Sequence, residues 1–388
     1  MSCCPHEGVW FLKIAILMGN RFNPWHAGVF APLADRFSFT AFVSSRNIYP
    51  VPARDFSTVV TPYEDETCGW LKARQLHLKY RLLHKRTGYE LKLAPFYERL
   101  ASFDIVHSWE IFTEWSGQAV EAKKRFKNRL LVTFWDTIPF HYEENPERRR
   151  IRSSVLENAD AFVVYTEKSR AVLLLEGVSR EKIFPVSPSV DLDRFRPQGE
   201  ARGRRSVRTV LFVGRHVPGK GIRHLLFAWR LVAPGFPEAT LRLLGSGSDR
   251  ELHVRLAERL GVSNRVELVD DAPYERMPEV YAGADLFVLP SIPTPDWEEQ
   301  FSMALVEAMA CGVPAIASHS GAIAEILGSA GLLVPPADFP GLASALRFVM
   351  GNHEERVKMG FLGRQRAEER FDSGKNAKAL DKVYTALR

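Results

Sequence analysis

Short apolar runs recur along the chain, each followed by a polar or glycine-bearing turn and then by a stretch with helical spacing of its apolar positions. The runs sit at 13–17, 39–43, 103–107, 130–134 and 161–165, and again at 209–213, 241–244, 266–269, 286–290, 315–317 and 331–334. Brief apolar runs bounded by turn residues predict buried strands, and the amphipathic stretches between them predict helices. One helix is expected from near Ala27–Gly28 to Asp35; another is capped by Thr166 and stopped at Gly177. This alternation is the pattern of a doubly wound parallel sheet in an α/β fold. The order that opens the chain restarts at 209, where six strands are counted, so two domains are predicted, 1–200 and 201–370. Residues 1–10 read as a disordered tail. Residues 198–207, polar, basic and glycine-containing, read as the linker.

The pattern is most informative after the strand at 286–290. Glu299 and Glu307 bracket a helix start whose apolar positions are Met303, Leu305, Val306, Met309 and Ala310, and Gly312 and Pro314 end it. A helix N-terminus after a parallel strand attracts anions, because its free N–H groups and its dipole point the same way. A phosphate there, with an acid on either side to accept hydroxyl donors, fits a sugar nucleotide. The competing reading is a surface helix with two solvated glutamates.

A second segment bears on this choice. Residues 214–221, Gly-Arg-His-Val-Pro-Gly-Lys-Gly, nearly spell a P-loop, but Gly221 stands where Ser or Thr must hold magnesium. What survives is a glycine-rich loop with two cations, Arg215 and Lys220, between a strand and a helix: diphosphate chemistry without the metal. Asp191-Leu192-Asp193 has the D-x-D form of some metal sites, but its proline-flanked setting reads as turn chemistry. In the first half, His107, Trp135 and Asp136 are candidates because carboxyl ends of parallel strands face the ligand crevice, and Gly28 would let a ligand approach the backbone. Each also fits a capping or packing role.

Composition narrows the class. The 388 residues are 46% hydrophobic and 25% charged, and no run approaches the length of a membrane span. Residues 1–8 lack a basic secretory leader, and the four cysteines, with Cys3 and Cys4 adjacent, have no zinc or disulfide spacing, so a cytoplasmic setting is expected. The net charge of +6 suits acidic partners. Arg148 to Arg152 reads as a solvated basic helix start. Residues 70–100 are more basic still: Leu71, Leu78 and Leu82 share one helical face, and Leu76, Tyr80 and Leu83 another. A solvated helix with two packing stripes is the favoured reading, contact with an anionic bilayer at the inner membrane face the lesser one, and no motif supports nucleic acid.

Taken together the residues resemble the retaining GT-B glycosyltransferases of family 4. The resemblance rests on Gly214–Arg215 with Lys220–Gly221, Glu299 through Glu307–Ala308–Met309–Ala310 to Gly312 and Pro314, and Gly321 with Glu325. Ala159–Asp160, Thr166, Val190–Asp191, Phe195, Pro197, Ala284–Asp285 and Pro290–Ser291 add to it. It implies two Rossmann-like domains with a cleft between them, the donor held by the C-terminal one and a last helix, 371–388, packing back on the N-terminal one. It further implies a hexosyltransferase-like enzyme. The co-substrate would be a nucleotide-diphosphate sugar, UDP first with GDP or ADP as alternatives, and the acceptor a glycan, lipid-linked or small molecule. No cofactor and no divalent metal is expected. Arg215 and Lys220 would grip the diphosphate. The backbone at Gln300, Phe301, Ser302 and Met303 would cap the distal phosphate and donor sugar. Glu299 would take the sugar's hydroxyls and Glu307 the ribose's. The chain departs from the family at Trp135, where a histidine is usual before the acid. The alternatives are an idle sugar-nucleotide or glycan-binding module, or another GT-B enzyme such as an epimerase or phosphorylase.

Overall fold

A computed structural model of the chain describes residues 11–20, 22–23, 27–48, 57–87, 92–198 and 206–388, the side chains of 83–87 excepted. The tail expected at 1–10, with Cys3 and Cys4, and most of the linker expected at 198–207 lie outside them. The chain divides into two compact units. Unit 1 comprises 1–165, 169–186 and 376–388; unit 2 comprises 166–168 and 187–375.

In unit 1 the strands are β1 (Leu12–Gly19), β2 (Phe37–Ser44), β3 (Ser57–Thr61), β4 (Ile105–Trp109), β5 (Arg129–Phe134), β6 (Ala161–Val164) and β7 (Ile183–Pro185). They form one parallel sheet in the order β3-β2-β1-β4-β5-β6-β7. The first helices are α1 (Glu64–Thr67), α2 (Trp70–Thr87), α3 (Glu114–Phe126), α4 (Pro146–Asn158) and α5 (Glu167–Leu175). Successive strand residues point to opposite faces, so each strand contributes to two cores. Ala15, Leu17, Val106, Leu130 and Val132 share one. Ile14, Ile16, Ile105, Leu131 and Val163 share the other.

Unit 2 repeats the plan. Its strands are β8 (Thr209–Val213), β9 (Thr240–Leu244), β10 (Val266–Val269), β11 (Leu286–Leu289), β12 (Ala315–Ser318) and β13 (Leu332–Val334). They form a parallel sheet ordered β10-β9-β8-β11-β12-β13. The helices are α6 (Ile222–Val232), α7 (Arg250–Arg259), α8 (Met277–Ala282), α9 (Met303–Ala310), α10 (Ile323–Leu327), α11 (Phe339–Gly351) and α12 (His353–Arg370). The last helix, α13 (Ser373–Ala386), starts in unit 2 and enters unit 1 at Asn376. Both sheets have the Rossmann-type order, in which the chain reverses direction across the sheet beside the first strand.

Three local expectations change. The helix expected from 27 to 35 is a turn followed by a short 3-10 segment, Ala31–Leu33, because Pro32 has no N–H to carry an α-helical ladder. β4 continues past residue 107, because Ser108 and Trp109 still pair with Val132 and Thr133. The basic start of α4 is not wholly solvated: Arg152 is buried and donates to the Glu176 carboxylate and to the His141 carbonyl, 2.7 Å away. Among the described residues no helix is long and apolar enough to cross a membrane.

Candidate functional site

The order β9-β8-β11 makes the carboxyl ends of β8 and β11 the switch point of unit 2, where the connections leave for opposite faces and a crevice forms. The loop after β8 carries Arg215 and Lys220; the loop after β11 carries Ser291 and Glu299. Lys220 Nζ lies 2.8 and 2.7 Å from the two Glu299 oxygens, and Ser291 Oγ donates to Oε2 at 2.7 Å. The Trp297 indole lies under the ammonium at 5.2 Å, within cation–π range. Glu299 is 5% exposed. Arg215 is exposed and makes no ion pair among the described residues.

Backbone geometry explains two glycines. Gly221 has φ +68°, and a Cβ there would lie 1.9 Å from the Pro290 carbonyl oxygen. The Ser or Thr of a P-loop therefore has no room. Gly321 has φ +55°, and a Cβ there would lie 2.1 Å from the Glu299 carbonyl oxygen, which also accepts from Ala322 N–H at 2.8 Å. Both positions need the conformational freedom of glycine. Gly221 lets the loop after β8 press on the loop after β11, and Gly321 lets the loop after β12 press on the backbone of Glu299.

Glu299 leads into α9. Ser302 caps that helix, its buried Oγ accepting from Leu305 N–H at 3.3 Å. Phe301 packs edge-on to Phe371 at 5.8 Å. Gln300 is half-buried, and Met303 opens the helix. The first N–H groups of α9 precede its own bonding pattern and favour an anion. Glu307, farther along α9, is also buried and accepts from the Tyr281 hydroxyl at 2.7 Å. Burial pushes its carboxyl up to about 7, against the opposing pull of Tyr281, Tyr274 and Arg194. The Arg194 guanidinium covers the Tyr274 ring at 4.4 Å and donates to the Tyr274 carbonyl. A second loop, 245–247, docks on the first through His216 N–H to the Ser246 carbonyl at 2.7 Å.

Unit 1 treats its four candidates differently. His107 lies inside β4, not at its end, and is 1% exposed. Its ring nitrogens are 2.7 Å from the hydroxyls of Tyr384 and Thr133, and Trp109 stacks on the ring at 4.2 Å. Burial drives its pKa down to about 3. Hydrogen-bonded at both nitrogens and neutral, His107 is a core residue. Asp136 is buried as well: Oδ1 accepts from Thr137 and Ile138 N–H, and Oδ2 lies 2.5 Å from His141 Nδ1. Trp135 is half-buried, its ring against Tyr165 at 5.5 Å, and its backbone N–H donates to Glu110 Oε1 at 3.2 Å. Gly28 lies in the exposed turn after residue 27. Asp191 Oδ1 accepts from Asp193 and Arg194 N–H, a turn rather than a metal arm. No cluster of metal-ligating side chains occurs among the described residues.

Several site residues have no sequence signal of their own. Trp297 reaches Lys220, and Tyr281, Tyr274 and Arg194 gather around Glu307, through tertiary packing and not through spacing. In unit 1, buried Glu110 has φ +63°, and its carboxyl is held well above the usual range by burial and the nearby Asp136.

Residues 56–194 match the family Glycosyltransferase Family 4, and residues 207–352 match Glycosyl transferases group 1. The D-inositol 3-phosphate glycosyltransferase of Corynebacterium urealyticum is 32% identical over 266 residues. That match takes in 62% of this chain, and the chain spans 60% of the relative's length. Anabaena HepE, solved with UDP and glucose, superposes with a TM-score of 0.74 at 17% identity, covering 97% of this chain and 100% of that one. Sucrose-phosphate synthase from Thermosynechococcus elongatus superposes with a TM-score of 0.71 at 21% identity, covering 97% and 99%. The likeness to the solved structures is one of fold.

Proposed function

Since the chain belongs to glycosyltransferase family 4, with the two Rossmann-like domains of the GT-B fold, we propose that it transfers a sugar from a nucleotide-diphosphate sugar with retention of configuration. The observation that carries the proposal is the Lys220–Glu299–Ser291 constellation at the switch point of unit 2, just ahead of α9.

Breaking the bond between the sugar and the diphosphate leaves negative charge on a phosphate oxygen. Lys220, Arg215 and the N-terminus of α9 are the groups that stabilise it as it forms, supplying charge that a divalent ion would otherwise provide. Once a donor is bound, Lys220 turns toward its phosphates, and Glu299 accepts hydroxyl donors from the sugar. Glu307, buried beside Tyr281, takes the ribose hydroxyls. The acceptor oxygen bonds to the anomeric carbon on the face the leaving group departs from. Its proton passes to the departing phosphate oxygen, so charge balances without a protein nucleophile.

UDP is the first donor base to test, because HepE was solved with it. The name of the corynebacterial relative makes an inositol phosphate the first small acceptor, beside glycans and lipid-linked sugars. The protein is incubated with UDP-, GDP- and ADP-sugars with and without acceptors, and nucleotide release and the anomeric configuration of the product are followed. One donor series is expected to turn over, and Glu299→Ala or Lys220→Ala to remove at least about a hundredfold of the rate. Undiminished turnover in Glu299→Ala, or an inverted product, would overturn the proposal.

A further inference from the structure

The helix α2 has 18 residues, none of them acidic, and Lys72, Arg74, Lys79 and Arg81 lie along its described part. Its periodicity leaves two apolar stripes, and the structure distinguishes them. Ala73, Leu76 and Tyr80 are half-buried. His77 on the neighbouring flank bonds to buried Asp65 at 2.9 Å, and Asp65 is also held by Arg46. The other stripe faces water: Leu71 is 70% exposed, Leu78 55% and Leu82 64%, with Trp70 at 70% beside it.

At about 100° per residue, Leu71, Leu78 and Leu82 fall within an arc of about 40°. Lys72 and Lys79 line one border of that arc; Arg74, Arg81 and Trp70 line the other. The Arg74 guanidinium lies over the Trp70 ring at 5.4 Å, so even this border pairs a cation with an aromatic face. Three leucines in water are costly. Only one stripe is covered.

We propose that α2 lies in the interface of an anionic bilayer, its leucine stripe among the acyl chains, Trp70 at the headgroup level and its two cationic borders at the lipid phosphates. The arrangement has the three parts such a helix requires: an uncovered apolar strip, an aromatic residue suited to the headgroup level, and cations on both sides of the strip. A protein partner would need an acidic rim around an apolar groove; an anionic bilayer presents that chemistry along its whole surface.

The test is flotation of the full chain with vesicles of phosphatidylcholine alone or mixed with phosphatidylglycerol. Binding to the mixed vesicles only, weakening as salt rises, is expected. Leu71→Ser/Leu78→Ser/Leu82→Ser should reduce the bound fraction about tenfold or more. Lys72→Gln/Arg81→Gln should weaken binding and flatten its salt dependence. All these side chains are exposed, so circular dichroism and melting should stay as in the wild type. A blue shift of tryptophan emission on adding mixed vesicles, lost in Trp70→Phe, is an independent readout. Absence of vesicle binding, equal binding to neutral vesicles, or undiminished binding of the triple variant would overturn the proposal. So would concentration-dependent self-association removed by the same variant, which would assign the stripe to contact between copies.

Discussion

Lys220 and Glu299 neutralise each other where neither has much water. Removing one member of a buried pair leaves an uncompensated charge, at a cost of about 3–5 kcal/mol, whereas removing both costs less. Lys220→Met should therefore lower the melting temperature more than Lys220→Met/Glu299→Leu; a double variant at least as unstable as the single one would show the pair is not coupled. Glu307 makes a pH prediction. Its carboxyl ionises near 7 in the fold and near 4.5 as the unperturbed group. Between those values the folded chain holds a proton that the unfolded chain has released, so this residue's contribution to stability falls as pH rises from 4.5 to 7. The loss is on the order of 3 kcal/mol at most. Glu307→Gln should flatten the melting temperature over that range and raise it at pH 8, while weakening donor binding if the ribose contact is made. The acids and cations of this site were legible because their spacing is rigid: loop, helix start, helix. Their partners were not, because Trp297 reaches Lys220 from a loop and Tyr281 reaches Glu307 from α8, contacts that exist only once the chain has folded. His107 was misplaced because a strand end cannot be read from apolar runs when Ser108 and Trp109 extend the pairing.

At the level of elements, the strand–loop–helix units after β8 and β11 bring the site together. Ser302→Ala removes the cap of α9 and should cost about 1 kcal/mol, read as an earlier melting transition with little change in the donor-binding constant. Gly221→Ser restores the letters of a P-loop and should do far more damage, since its side chain must displace the Pro290 carbonyl. We expect loss of both stability and nucleotide binding, and magnesium should rescue neither. Alternation of strands and helices was readable along most of the chain. β3 and β7 were not: β3 is mostly exposed with Ser and Thr at its ends, and β7 is only three residues long. For α2 the sequence shows two stripes, and only tertiary packing tells which is covered.

At the scale of the molecule, the two units are assembled from interleaved pieces of chain. Tyr384, Leu380, Val383 and Ala377 belong to the apolar core of unit 1, where Tyr384 packs on Phe37 at 5.3 Å and bonds His107. Truncation after Lys375 should expose the face with Phe37 and Phe39, leave the His107–Thr133 pair without its third partner, and make unit 1 the first target of limited proteolysis. Unit 2 fragments should persist longer. The division falls at residues 187 and 376, upstream of the polar stretch 198–207 that the sequence offers as a linker and a few residues past the expected start of the returning helix at 371. The return also sets an order in time. On the ribosome, everything unit 2 needs has been made by residue 375, while unit 1, begun first, still waits for the thirteen residues that complete its core. The core around Phe37, Phe39 and Tyr384 therefore cannot close until all of unit 2 has been made, although the strands that line it are among the first residues to emerge.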